Sequence, residues 1–161
     1  MKFAHHRALT AAVLLCAAPI FDAQAARSLY DAIGGETVLR STVEEFTRIM
    51  EADDRINFTF AETDLSKFKQ LLFEQLCSIT DGPCKYTGRD MQTSHAKLNI
   101  NNAEFNALAE DLYIAFDHVG VPYRLQNKVM AILAPMQHDI VKDHPVAIEP
   151  EPKPEPNART H

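Results

Sequence analysis

Apolar residues between positions 26 and 142 recur at spacings of three and four, as in helices that each bury one face. Val38, Val43, Phe46, Ile49 and Met50 predict a helix over Glu36 to Met50. A short amphipathic turn, Arg27 to Ile33, precedes it, and Gly34-Gly35 separates the two. Leu65, Phe68, Leu71, Leu72, Phe73, Leu76 and Ile79 predict a second helix, with Thr63 or Asp64 as its cap. Its stripe is wider than packing against one neighbour demands, so it is buried on more than one side or roofs a flat apolar ligand. Asn101 and Glu104 form a capping box. The helix they start carries Phe105, Leu108, Leu112, Ile114, Ala115, Phe116 and Val119 and stops at Gly120. Pro122 opens a last helix that runs to about Val141 and is kinked at Pro135. Gly120-Val121-Pro122 turns the chain, so these two helices form an antiparallel hairpin.

Two stretches fit less simply. Ile56 to Phe60 alternates apolar and polar residues and reads as a connector or a short strand without an evident partner. After Gly82-Pro83 comes a loop, then a short helical piece over Arg89 to Lys97 that carries His95. The fold class expected is all-α, with one domain over residues 26–142. Five Gly and no Trp make a turn-rich β sandwich a poor match.

The ends have other uses. Lys2 and Arg7 precede an apolar run from Ala8 to Phe21, and Ala23-Gln24-Ala25 has the small-x-small form of a signal-peptidase site. Residues 1–25 are therefore expected to be a signal peptide, giving a periplasmic or secreted protein with no stable membrane insertion after cleavage. A lipoprotein anchored at Cys16 is the competing reading, weakened by the bulky Leu15 before it. Residues 143–161 contain a Pro/Glu alternation that builds no core, and a disordered tail is expected.

Charge and cysteine count narrow the function. A net charge of -6 without a Lys/Arg cluster argues against a nucleic-acid partner. Loss of the signal leaves Cys77 and Cys84 of the three cysteines, and in an oxidising compartment such a pair is a disulfide candidate. Two free thiols are the alternative. There is no Gly-rich phosphate loop, no nucleophile context and no paired His motif. Cys-x-x-Cys-His is absent, which excludes c-type haem attachment. His118 and His138 fall near helix C-termini, and His95 falls mid-fold; a lone His is most often packed or on the surface, yet it is the commonest metal-binding side chain.

The stretch from about Ser28 to Val141 resembles the group I truncated haemoglobins, short globins with a two-over-two helical fold. Leu29-Tyr30-Asp31-Ala32-Ile33-Gly34-Gly35 resembles the family's opening. Phe46, Asp53-Asp54-Arg55-Ile56 and Phe60 resemble the second helix and its exit. Gly82 with Tyr86-Thr87-Gly88-Arg89-Asp90-Met91 resembles the loop before the proximal site, and His95 falls where the family places its iron ligand. Gly120-Val121-Pro122 and Leu133-Ala134-Pro135 resemble the last corner and helix.

The resemblance implies a haem b held without covalent bonds, with His95 on the iron. Met91, Leu98, Ile100 and Phe105 would wall the proximal face, Phe60 would stack on the ring, and Phe68 and Leu72 would cover the distal face. Lys67 and Tyr86, and less so Arg89, would meet the propionates. The distal pocket would comprise Phe46, Thr47, Phe68, Leu71 and Leu72. Many family members place Tyr where Thr47 stands, to donate a hydrogen bond to bound dioxygen, and a polar residue at the Leu71 or Leu72 positions. The expectation is an apolar distal pocket with fast oxygen exchange. The implied function is reversible binding of oxygen, nitric oxide or carbon monoxide. A nitric oxide dioxygenase or peroxidase-like enzyme, which needs an electron donor that the chain does not identify, is an alternative. A haem-free helical interaction module is another.

Overall fold

The computed structural model describes residues 27–142. The expected signal peptide, the lipid-anchor alternative at Cys16 and the Pro/Glu tail lie outside the described residues. Every regular element among the described residues is helical. In chain order these are α1 (Leu29–Ile33), α2 (Gly35–Ala52), α3 (Leu65–Ile79), α4 (Met91–His95), α5 (Asn102–His118), α6 (Tyr123–Leu133) and α7 (Gln137–Ile140). Single 3-10 turns occupy Asn57–Phe60 and Ala134–Met136.

Helix α2 organises the packing. Leu39, Val43, Phe46 and Met50, spaced by four, three and four, are all buried on one face. That face meets α3 on one side and α5 on the other. Helix α5 pairs with α6, and α6 reaches back to α3, so two helix pairs stack in two layers. Gly34, at φ 119°, ends α1 and caps α2 in one step. A Cβ there would collide with Val38, and L-residues disfavour that φ, so glycine is required.

The local signals behave as their chemistry demands. Asp64 caps α3 by accepting from the Lys67 amide at 3.0 Å. The capping box at α5 closes in both directions: Glu104 N donates to Asn101 Oδ1 at 3.0 Å and Asn101 N to Glu104 Oε2 at 2.9 Å. Pro135 does more than kink the final helix. It breaks it into α6, a 3-10 turn and α7, because proline removes an amide and crowds the preceding turn.

The connector after α2 settles between its two readings. The Ile56 to Phe60 stretch is a 3-10 turn over Asn57–Phe60, not a strand. With no neighbouring strand to pair with, its backbone bonds locally: Ile56 and Asn57 amides donate to Asp53 O, and the Thr59 amide and hydroxyl both go to Ile56 O. Ile56 is buried, while Phe58 stays 59% exposed.

Candidate haem-binding site

Helix α3 shows what its wide apolar stripe does. Phe73, Leu76 and Cys77 are buried in the core, whereas Phe68, Leu72 and Ile79, further round the helix, pack on the core without being enclosed. Phe60 and Phe68 meet edge to face at 5.3 Å, and Phe46 stacks beyond Phe68 at 6.5 Å. Together they form an aromatic wall from the α2 exit to the start of α3.

The segment facing that flank is held by polar contacts to α3. Cys77 and Cys84 are joined by a disulfide. Glu74 accepts from both Thr87 N, at 3.0 Å, and Thr87 Oγ1, at 2.6 Å, which holds its carboxyl below the usual carboxylate range. Asp90 then caps α4, accepting from Thr93 N at 2.7 Å, and its own carboxyl is lowered by that bond. The chain is thus pinned on both sides of the turn that delivers α4.

His95 is the last residue of α4 and half-buried. Its Nδ1 lies 2.8 Å from Met91 O. A carbonyl only accepts, so Nδ1 carries the proton, and Nε2 keeps its lone pair for a metal. Gln75 of α3 reaches to this helix: its Nε2 is 3.5 Å from Met91 Sδ and 3.5 Å from Met136 Sδ. The Lys142 amide donates to Ile100 O at 2.9 Å, tying the end of the described chain to the segment after α4.

Among the described residues no three His, Cys, Asp or Glu side chains gather to hold a metal ion. A lone imidazole therefore suits a metal whose remaining ligands come with it, as in a porphyrin. The half-buried flank of Phe60, Phe68 and Leu72 suits a flat apolar ring. These residues fit haem.

The other candidate residues divide. Ile100 is buried beside α4, Met91 and Phe105 are half-buried, and Leu98 is 40% exposed. Lys67 and Leu71 line a groove of about 680 Å³ with Arg40, Glu44, Gln70 and Glu74, on the α2 side of α3. Leu71 thus sits off the Phe68–Leu72 flank. The Tyr86 hydroxyl donates to Arg89 O at 2.8 Å, so its proton is committed to the loop, and burial raises its pKa. Thr47 is 4% exposed and its hydroxyl donates to Val43 O at 2.8 Å. The other described histidines serve elsewhere: His118 Nδ1 meets Glu45 Oε1 at 2.6 Å, and the His138 side chain is 94% exposed.

Gln75 is the residue that reading the sequence missed. It stands three residues after Leu72 and seven after Phe68, on the same flank, and a search for apolar positions passes over an amide. The signal available was the position itself, a polar side chain inside an apolar stripe.

Comparison with known proteins agrees with this geometry. The family model described as bacterial-like globin matches residues 28–142. A group 1 truncated haemoglobin of Synechocystis is 33% identical over 115 residues, covering 69% of this chain and 93% of that protein. The crystal structure of a truncated haemoglobin from Tetrahymena pyriformis, in its Fe(III) form, superposes with a TM-score of 0.70 at 25% identity, covering 73% of this chain and all of that one. A two-over-two haemoglobin from a Synechococcus species, solved in the cyanomet state with covalently attached haem, gives 0.68 at 28% identity over 71% of this chain and 98% of its own. With a family model over residues 28–142, a relative one-third identical over nearly all its length and the same two stacked helix pairs, the chain belongs to the bacterial-like globins, and within them to the group I truncated haemoglobins.

Proposed function

We propose that this chain is an exported b-type haem protein that binds small diatomic gases, with His95 as its protein ligand to iron. The observation that carries the reading is the His95 Nδ1 bond to Met91 O. It fixes the ring's tautomer and orientation and leaves Nε2 free as the donor atom. Haem, when bound, would supply an iron able to take up a gas molecule.

The chain's own residues do the rest. Phe60, Phe68 and Leu72, half-buried, would exclude water from one side of the ring, and Met91, Ile100 and Phe105 would close the other. Lys67 lies in the α2-side groove and would meet a propionate only by the reach of its exposed stem; Tyr86 gives its proton to Arg89 O, and the exposed Arg89 side chain is the other candidate cation. Phe46 and Thr47 back the gas side from α2, and Thr47 offers no proton there. The Cys77–Cys84 bond supports the export reading, because such bonds persist in oxidising compartments.

The test uses the mature chain with hemin. A Soret band is expected in the wild type, absent in His95→Ala and restored when imidazole is added to that variant. Protein that stays colourless, or a variant that binds as well as the parent, refutes the reading and favours a helical module without haem.

A further inference from the structure

We infer that Glu74 is a positioning residue for His95: from α3 it holds the loop that presents α4, and so sets how the imidazole meets iron. The inference rests on the haem reading above and deepens it.

The separation of α4 from α3 is not set by direct packing. Among the described residues α4, a helix of five residues, packs on α7, and no comparable packing joins it to α3. The Gln75 amide touches Met91 Sδ at 3.5 Å, but a thioether is a poor acceptor. The place of His95 relative to α3 therefore depends on how the intervening loop is tied.

Two ties hold that loop. The Cys77–Cys84 bond fixes its start. Glu74, one turn earlier on α3, fixes it again at Thr87, nearer to His95 along the chain. Glu74 Oε2 accepts from Thr87 N at 3.0 Å and from Thr87 Oγ1 at 2.6 Å, while Oε1 accepts from Gln70 Nε2 at 2.9 Å. Both carboxylate oxygens are engaged, so the side chain is fixed in one orientation. The same bonds hold the carboxyl below the usual carboxylate range, which keeps it ionised and the bonds charge-assisted.

Beyond Thr87 the chain is cross-braced as far as the imidazole. The hydroxyls of Tyr86 and Ser94, the neighbours of Thr87 and His95, both donate to Arg89 O, at 2.8 and 3.4 Å. Asp90 caps α4 through Thr93, and Met91 O orients the His95 ring. A displacement at Thr87 is thus passed on to His95 and not absorbed between them.

The experiment compares the mature ferrous holoprotein with Glu74→Ala and Glu74→Gln. Resonance Raman scattering of the gas-free form reads the iron–imidazole stretch, and transfer of haem to an acceptor globin reads how long the bond persists. Glu74→Ala is expected to shift and broaden the stretch and to speed transfer about tenfold, through loss of hydrogen bonds to a charged acceptor. Glu74→Gln keeps a side-chain oxygen that can accept both Thr87 donors, so it should restore the parent's band and bring transfer within about threefold of the parent. Where Glu74→Ala fails to fold, Thr87→Val, which removes the shorter bond alone, should move the band by a smaller amount. An unmoved band in a folded, haem-loaded Glu74→Ala or Thr87→Val protein overturns the inference whatever happens to stability, and leaves the haem reading standing. A Glu74→Gln protein as altered as Glu74→Ala overturns it too, because the bonds to Thr87 would then not be what matters. A wild type that stays colourless with hemin defeats the haem reading, and this inference with it.

Discussion

Thr47 gives its hydroxyl proton to the carbonyl oxygen of Val43, 2.8 Å away and one turn earlier in α2. A buried Thr with this back-bond presents its methyl, not a donor, to its surroundings. Thr47→Val should therefore leave oxygen release within about twofold of the parent, since no donor is lost. Thr47→Tyr, which adds a longer hydroxyl, should slow release about tenfold. Stopped-flow measurement of both variants checks this; a large acceleration in Thr47→Val would mean the hydroxyl turns to the ligand.

The disulfide joins the core face of α3 to the loop that leads to α4. Cys77 is fully buried, and Glu74 holds Thr87 just beyond Cys84. Opening so short a loop in the Cys77→Ala, Cys84→Ala pair should cost about 2.5 kcal/mol in the chain-entropy model. Thermal unfolding should fall on the order of 10 °C. Transfer of haem to an acceptor globin should quicken, since the loop positions His95. Unchanged unfolding and unchanged transfer would mean the Glu74–Thr87 contacts suffice.

Gly82 lies where three parts of the chain converge. A Cβ there would stand 2.6 Å from the Tyr30 ring and 2.7 Å from both the Cys77 carbonyl oxygen and its sulfur. Backbone and a bonded sulfur yield less readily than a free side-chain tip. Gly82→Ala is expected to destabilise by about 1–3 kcal/mol in urea unfolding. A neutral result would show that the α1–α3 junction can open to admit a methyl.

Asp111 is the buried carboxylate of α5, 2% exposed, with Oδ2 lacking a hydrogen-bond partner. Burial first, then the nearby Asp53 charge, pushes its pKa up to about 6, against the pull of Arg55, whose guanidinium stands 3.9 Å away; Glu110 also faces it. Folded Asp111 thus holds its proton to a higher pH than the unfolded chain does. Stability from this group is present below about pH 4 and is lost as pH rises to about 6. Asp111→Asn should match the parent near pH 4 and exceed it by roughly 1–2 kcal/mol at pH 7. Denaturant midpoints across that range check the sign, and an advantage that shrinks with rising pH would contradict it.

Much of this molecule is written in short-range chemistry. Asp64, the Asn101–Glu104 box, Gly34 and Pro135 act within one or two turns, so a linear reading locates where α3 and α5 start, where α1 gives way to α2 and where the last helix breaks. The position of His95 is equally readable, because it rests on order along the chain and on likeness to a family. What needed the folded chain is the direction in which side chains act. Whether Leu71 shares the Phe68 flank, whether Thr47 has a proton to spare and whether Gln75 reaches Met91 all depend on how α2, α3 and α4 are rotated against one another. The Asn57–Phe60 turn is a similar case, since strand and 3-10 turn differ in whether a partner stands alongside. A helix broad enough to be buried on two sides does not declare which side meets the core; packing of the two helix pairs makes that choice.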